Sequence, residues 1–157
     1  MKTAKPAPTF RQFLTRRGYD LHGGSGAFLR RMFLSAWAEP GFHRFWRIWN
    51  PLYGYFLFRF YRVLGGERRR VPATVTVFVA CGFVLHDLPI LWITGHPQVA
   101  TTTAFFFFAV VALLSKAVDK TTKAARWPRP AHVLLNSGLV LGGLLLGAYV
   151  QGRFLAS

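Results

Sequence analysis

Apolar positions are concentrated in three long runs in the second half of the chain, and polar segments separate these runs. They cover approximately residues 72–94, 100–118 and 132–150. Each run is close to the ~20 residues that a helix needs to cross a bilayer. The pattern therefore predicts an all-α integral membrane protein with about three transmembrane helices.

The first half of the chain has shorter amphipathic patterns. In residues 27–38 large apolar side chains recur at helical spacing, with Arg30 and Arg31 on another side, which predicts an interfacial helix or one packed on the protein's own spans. Residues 52–64 are strongly aromatic but too short to span at about 1.5 Å per residue. We expect this segment to be interfacial or re-entrant.

These patterns divide the chain into three segments. Residues 1–40 form a basic tail followed by the interfacial helix, and residues 41–71 hold a tryptophan-rich segment followed by the aromatic-basic helix. Residues 72–157 form the three-span membrane domain.

Charge is segregated along the chain, although the formal net charge is +15. Residues 1–70 hold fourteen Lys and Arg against three acidic residues, whereas Asp87 is the only formal charge between positions 71 and 115. The positive-inside rule places residues 1–71 and 116–130 in the cytoplasm, including the N-terminus, and favours an inner or cytoplasmic membrane. The basic clusters then face anionic lipids. Their interleaving with spans argues against nucleic acid as a partner.

The third span contains two pairs of glycines at a spacing of four residues. Small residues at this spacing let helices approach closely, either within this chain or against another membrane subunit or a second copy. The pairs are Gly138 with Gly142, and Gly143 with Gly147.

Two ionisable residues, His86 and Asp87, lie inside the first predicted span. Such groups are costly at membrane depth and by default mark a functional site. Pro89 is expected to bend the helix beside His86, and Gly82 to leave room for a bound group. A buried neutral histidine suits general-base chemistry, whereas Asp87 is expected to pair with an arginine or meet water. The histidines show no metal-ligand spacing, so no metal site is predicted.

The segment Phe45-Trp46-Arg47-Ile48-Trp49-Asn50 precedes this span, which carries the sequence Val84-Leu85-His86-Asp87. Together they resemble the signature of the membrane-bound O-acyltransferase family, in particular the branch containing sterol and diacylglycerol acyltransferases. The resemblance covers residues 41–89, about a third of the chain. Family members usually have eight or more spans, so the resemblance implies a minimal core completed by other chains or a remnant without the chemistry.

The resemblance implies roles for five residues. His86 would activate a hydroxyl acceptor, and Asn50 would hold the acyl carbonyl or the catalytic geometry. Trp46, Arg47 and Trp49 would line or brace the cytoplasmic mouth through which an acyl thioester such as acyl-CoA enters. This donor is a substrate, and no cofactor is implied. The alternative function is that of a non-catalytic transmembrane subunit of a larger membrane complex.

Overall fold

The computed structural model describes residues 7–119 and 126–156, and within these ranges the chain is helical and contains no strand. A π-helical segment, Arg30–Ser35, follows the second helix, and another, Phe83–Asp87, follows the fifth. A short 3-10 helix, Gly66–Arg69, precedes the fifth. The α-helices are α1 (Phe10–Thr15), α2 (Gly24–Leu29), α3 (Phe42–Ile48), α4 (Pro51–Val63), α5 (Arg70–Gly82), α6 (Leu88–Thr94), α7 (Ala100–Val118) and α8 (Arg129–Leu155).

Three helical stretches in the described part of the chain are long and apolar enough to cross a membrane. They are Gly66–Thr94, which joins α5, the second π-helical segment and α6, then Ala100–Val118 and Arg129–Leu155. The prediction of an all-helical chain with three candidate spans is confirmed at this level. The first and third stretches extend a few residues beyond the predicted runs, because helical hydrogen bonding continues into the flanking arginine-containing segments.

The helix α7 lies between α5 and α8 and is the centre of the bundle. A Cβ added at Gly147 of α8 would collide with the carbonyl oxygen of Ala100, and one added at Gly143 would collide with Phe108. The pair Gly143 and Gly147 therefore allows close packing within this chain. In contrast, a Cβ at Gly138 or Gly142 meets nothing within 4 Å.

The segment of residues 41–71 packs its first helix, α3, against α7. Phe42, Phe45 and Ile48 of α3 are buried and join Phe108 in one hydrophobic core. Asn50 has φ 43° and ψ 77°, a left-handed conformation that asparagine adopts more readily than most residues. The chain turns there, and α4 starts at Pro51, whose fixed φ suits the first position of a helix.

The amphipathic segment before α3 is attached to the spans through hydrogen bonds from α8. The buried Asn136 amide donates to the carbonyl oxygens of Trp37 and Glu39, at 2.8 and 3.0 Å. Phe28 packs against the core, whereas Leu34 is 70% exposed. The segment thus packs on the protein's own spans along one side. Residues 1–6 of the predicted tail and 120–125 of the predicted basic loop lie outside the described residues.

Candidate functional site

A cavity with a volume of about 590 Å³ lies between α1, α3, α4, α5 and α7. This volume is within the range of small-molecule binding sites. Its lining includes the aromatic side chains of Trp46, Phe58, Phe78 and Phe105. We call this space the main cavity.

Cationic side chains also line the main cavity, and Glu67 is the one carboxylate among its described lining residues. Glu67 already faces the Lys116 ammonium at 3.8 Å. The remaining cations exceed the available carboxylates, so the cavity favours an anion. The cations are Arg16, Arg17, Arg47, Arg70 and Lys116.

A second cavity of about 360 Å³ adjoins the first and shares Arg16, Arg17, His43 and Arg47 with it. Its other basic residues are already paired with carboxylates. The Arg31 guanidinium lies 3.0 Å from Glu39, and Arg44 lies 2.8 Å from Asp119. Arg16, Arg17 and Arg47 form no ion pair among the described residues, and we call these three the arginine rim.

Arg17 is the most confined member of the arginine rim. Its guanidinium carbon lies 3.4 Å from the centroid of the Phe13 ring, and its Nε donates to the carbonyl oxygen of Arg47 at 2.6 Å. Burial, together with a smaller effect of the nearby charge of Arg47, lowers the pKa of Arg17 to about 10. The fold therefore holds two guanidinium groups near one another, an arrangement that a bound anion would stabilise.

A serine, a histidine and an aspartate meet beside the arginine rim, where α3 packs on the end of α7. His43 Nδ1 lies 3.1 Å from Ser115 Oγ, and His43 Nε2 lies 3.9 Å from Asp119 Oδ2. The histidine side chain is only 14% exposed. Burial is the main cause that lowers the pKa of His43, and Asp119 opposes it. At neutral pH the imidazole is therefore neutral and can accept a proton.

Comparison of the chain with protein-family models, with curated proteins and with solved structures finds no match. Among the described residues, no group of three or more His, Cys, Asp and Glu side chains could hold a metal ion.

Of the five residues singled out in the sequence, Trp46 and Arg47 line the main cavity. Trp46 also packs edge-on against Phe78 of α5 at 5.2 Å and joins α3 to the spans. Trp49 lies instead against the rings of Trp37 and Phe45, at 5.6 and 5.5 Å. It braces the amphipathic segment rather than the cavity.

Asn50 and His86 line neither cavity. The Asn50 Oδ1 atom accepts from the backbone N–H of Tyr53 at 3.4 Å, so the side chain acts as the cap of α4. The His86 side chain is exposed on the outer surface of the first span, where its ring lies 5.3 Å from Phe105. A transmembrane helix presents such a surface to lipid or to another chain.

The expected partners of Asp87 and the expected space beside Gly82 are corrected by the structure. Asp87 is 1% exposed and accepts hydrogen bonds from the backbone N–H groups of Thr101 and Thr102, at 3.1 and 2.7 Å. A Cβ added at Gly82 would lie 2.8 Å from Thr102 Cα. The helix α7 therefore fills the room that Gly82 provides, and Asp87 caps α7 instead of pairing with an arginine.

No site role was predicted from the sequence for Arg17, His43 or Ser115. The sequence does contain one signal for His43, because its helical spacing with Trp46 and Arg47 places the three side chains on one face. All three line the main cavity. The contact between Ser115 of α7 and His43 could not be predicted from local sequence patterns, because the two residues are 72 positions apart.

Proposed function

We propose that this chain is an integral membrane protein that binds an anionic acyl amphiphile in the main cavity. The observation that supports the proposal is that large apolar side chains line the same cavity as arginines that form no ion pair among the described residues. An acyl chain suits the apolar side chains, and a phosphate-bearing headgroup suits the arginines. The ligand class includes both phospholipids with one acyl chain and acyl thioesters of a phosphate-bearing carrier.

Apolar side chains of the candidate spans line the main cavity. They are Phe78 and Val77 of α5 and Phe105 of α7, and Phe58 of α4 lines the cavity with them. Burial of apolar surface stabilises a bound chain by roughly 25 cal/mol per Å². A chain entering from the hydrocarbon region of a bilayer gains less, because lipid is already apolar. Discrimination therefore depends on the headgroup.

The arginine rim supplies the recognition of the headgroup. Guanidinium groups bind phosphate through paired hydrogen bonds and remain charged at neutral pH. A phosphate placed between Arg17 and Arg47 would offset both the burial of Arg17, which is the main cause of its lowered pKa, and the repulsion by Arg47. A phosphomonoester or diester therefore fits this position better than a neutral or cationic headgroup.

A binding experiment with purified full-length protein in a neutral detergent tests the proposal. Dodecyl phosphate is the probe, and dodecyltrimethylammonium and dodecyl maltoside are the comparison compounds. We expect dodecyl phosphate to bind, and Arg47→Gln or Arg17→Gln to weaken it about tenfold or more. The control is Arg11→Gln, which removes an exposed arginine of α1 outside the cavity. Equal affinity of the three compounds, or of the rim and control variants, would contradict the proposal.

Competition experiments distinguish the two sources of this ligand chemistry. Lysophosphatidic acid and a long-chain acyl-CoA are each titrated against bound dodecyl phosphate. Preferential displacement by the first identifies a phospholipid, and preferential displacement by the second identifies an acyl donor.

The acyltransferase hypothesis adds catalysis to this binding site. It is favoured by the position of Trp46 and Arg47 in the main cavity, where a donor headgroup would enter. The corresponding assay follows acyl transfer from labelled acyl-CoA to hydroxyl acceptors, with wild type and His86→Ala. Loss of transfer in a folded variant would support His86 as the base, and unchanged transfer would exclude that role.

The non-catalytic subunit is the second candidate, and the exposed surface of α8 favours it. Leu134, Leu141 and Leu145 are exposed there beside the uncovered Gly138 and Gly142. Purification in a mild detergent should then recover stoichiometric partner chains. An active monomer that binds dodecyl phosphate would contradict this role.

A further inference from the structure

Ser115, His43 and Asp119 are held together by contacts between α3 and the end of α7. The Ser115 hydroxyl lies 3.1 Å from His43 Nδ1, within hydrogen-bond distance. Asp119 is one turn after Ser115 and is fixed by Arg44, whose Nη2 donates to its carboxylate at 2.8 Å. The aspartate therefore has a defined position beside the imidazole.

The negative charge of Asp119 lies nearest to Nε2 of the imidazole, at 3.9 Å, which is longer than a hydrogen bond. This charge favours the neutral tautomer that has its proton on Nε2 and a free lone pair on Nδ1. This lone pair faces the Ser115 hydroxyl and can accept its proton.

We propose that Ser115 is a nucleophile for acyl groups, with His43 as its base and Asp119 as the positioning residue of His43. The inference rests on the proposed function, since the acyl carbonyl comes from the amphiphile in the main cavity. The proposed reaction at Ser115 does not involve His86 or Asn50.

The cluster borders the main cavity directly. The His43 ring lines both the main cavity and the second one. Ala112 and Lys116, which are close to Ser115 on α7, line the main cavity. Ser115 itself is partly exposed. A Cβ at Gly41 would lie 2.9 Å from Ser115 Oγ, so the absence of a side chain there gives the hydroxyl its place beside the imidazole.

The reaction proceeds in two balanced steps. Ser115 Oγ attacks the carbonyl carbon of an ester or thioester while its proton passes to His43 Nδ1. The bond from that carbon to the leaving oxygen or sulfur breaks, and the leaving group takes the proton to become an alcohol or a thiol. Water or an acceptor hydroxyl then attacks the acyl-serine in the same way, releasing a fatty acid or a new ester and restoring Ser115.

Nearby cations would stabilise the negative charge that develops on the carbonyl oxygen. Arg44, Arg47 and Lys116 all lie close enough to His43 to lower its pKa. Fixed positive charge near a developing oxyanion lowers the barrier to acyl transfer. Burial is the main cause that lowers the pKa of His43 and keeps the base neutral before the reaction, and the same cations act in that direction.

Covalent labelling with a dodecyl fluorophosphonate tests the inference, because this probe forms a bond to an activated serine oxygen and releases fluoride. We expect labelling of purified full-length protein at Ser115, located by peptide mass spectrometry, at a rate that rises with pH as His43 loses its proton. Ser115→Ala should abolish it, and His43→Gln should slow it about 100-fold or more. The control is Ser137→Ala, another helical serine, exposed on α8, which should be labelled like wild type.

Two further measurements show whether a loss of labelling is due to misfolding and whether the nucleophile depends on the amphiphile site. Dodecyl phosphate binding by Ser115→Ala establishes that the variant is folded and retains the cavity. A protein that binds dodecyl phosphate but is not labelled at Ser115, or a Ser115→Ala variant that is labelled as fast as wild type, would overturn the inference. Labelling of Ser115 by a short ethyl fluorophosphonate without dodecyl phosphate binding would refute the amphiphile site and leave the nucleophile in place.

Discussion

The carboxylate of Asp87 accepts a hydrogen bond of 2.7 Å from the backbone N–H of Thr102, at the start of the neighbouring span. It accepts a second bond from Thr101. The first N–H groups of a helix have no partner within the helix and carry a partial positive charge. A buried carboxylate from one candidate span therefore supplies the missing acceptors at the beginning of the next. This explains an acidic residue inside an apolar helix without assigning it to catalysis.

Removal of this carboxylate should destabilise the bundle. Asp87→Ala leaves two buried N–H groups of α7 without acceptors, and we expect a loss of about 2 kcal/mol in the free energy of unfolding. Denaturant titration in detergent measures the loss. The control is Glu67→Gln, because the Glu67 side chain is 74% exposed, and it should change stability little. Equal stability of the two variants would show that the cap contributes nothing.

The three spans could be predicted from sequence because hydropathy and length are local properties. The side of the helix on which His86 lies could not be predicted, because the backbone between Phe83 and Asp87 is π-helical. The N–H of Leu88 donates to the carbonyl oxygen of Phe83. In a regular α-helix Gly82 and His86 lie on one stripe. The extra residue in the π-helical turn shifts the register, so that Asp87 shares the buried face with Gly82 and His86 points outward.

The two glycine pairs of α8 should respond differently to an added methyl group. Gly147→Ala places a Cβ against the carbonyl oxygen of Ala100, whereas Gly142→Ala meets nothing within 4 Å. We expect the first to lower the melting temperature by forcing α7 and α8 apart. The second should be neutral or raise it, since alanine is favoured over glycine in a helix by about 1 kcal/mol. A lower melting temperature of Gly142→Ala would indicate a contact with another chain at that face.

The candidate site depends on contacts between distant parts of the chain. Arg17 reaches the main cavity because its Nε bonds to the carbonyl of Arg47, thirty positions later. Ser115 reads in sequence as one polar residue near the end of a span, and His43 as one histidine of a short helix. Only the packing of α3 on α7 brings them together, and no local periodicity encodes that packing.

The stability of the protein should depend on pH through His43. Burial lowers the pKa of His43 in the folded state below the ordinary value of 6.5, with Arg44, Arg47 and Lys116 acting in the same direction and Asp119 against it. As the pH falls below about 6.5, the unfolded chain takes up a proton that the folded state resists. The free energy of unfolding should therefore decrease from pH 6.5 downward until the folded-state pKa is passed.

Measurements of unfolding free energy between pH 7.5 and pH 5, in wild type and His43→Gln, isolate this contribution. The wild type should lose more stability than the variant across this interval. His96→Gln is the control, because His96 is exposed between the first two spans, and it should retain the wild-type slope. A wild-type slope in His43→Gln would assign the dependence to other groups.

Gly41 has a positive φ and also lies close to the side chains of Ser115 and His43. Gly95 has a positive φ but no such neighbours, so the two glycines can be compared. Both have positive φ, 91° and 71°, so alanine is strained at either position, and more strongly at Gly41, whose ψ of 140° lies outside the left-handed helical region that Gly95 adopts. A Cβ at position 95 meets nothing within 4 Å, whereas one at position 41 would lie 2.9 Å from Ser115 Oγ and 3.2 Å from His43 Nδ1. Only Gly41→Ala should therefore separate the Ser115 hydroxyl from the His43 imidazole.

The expected result for Gly41→Ala is a change in the His43 pKa, measured by NMR titration, and slower fluorophosphonate labelling of Ser115. Gly95→Ala should keep the wild-type pKa and labelling rate. If both variants kept the wild-type pKa and labelling rate, the contact between Ser115 and His43 would have no chemical consequence.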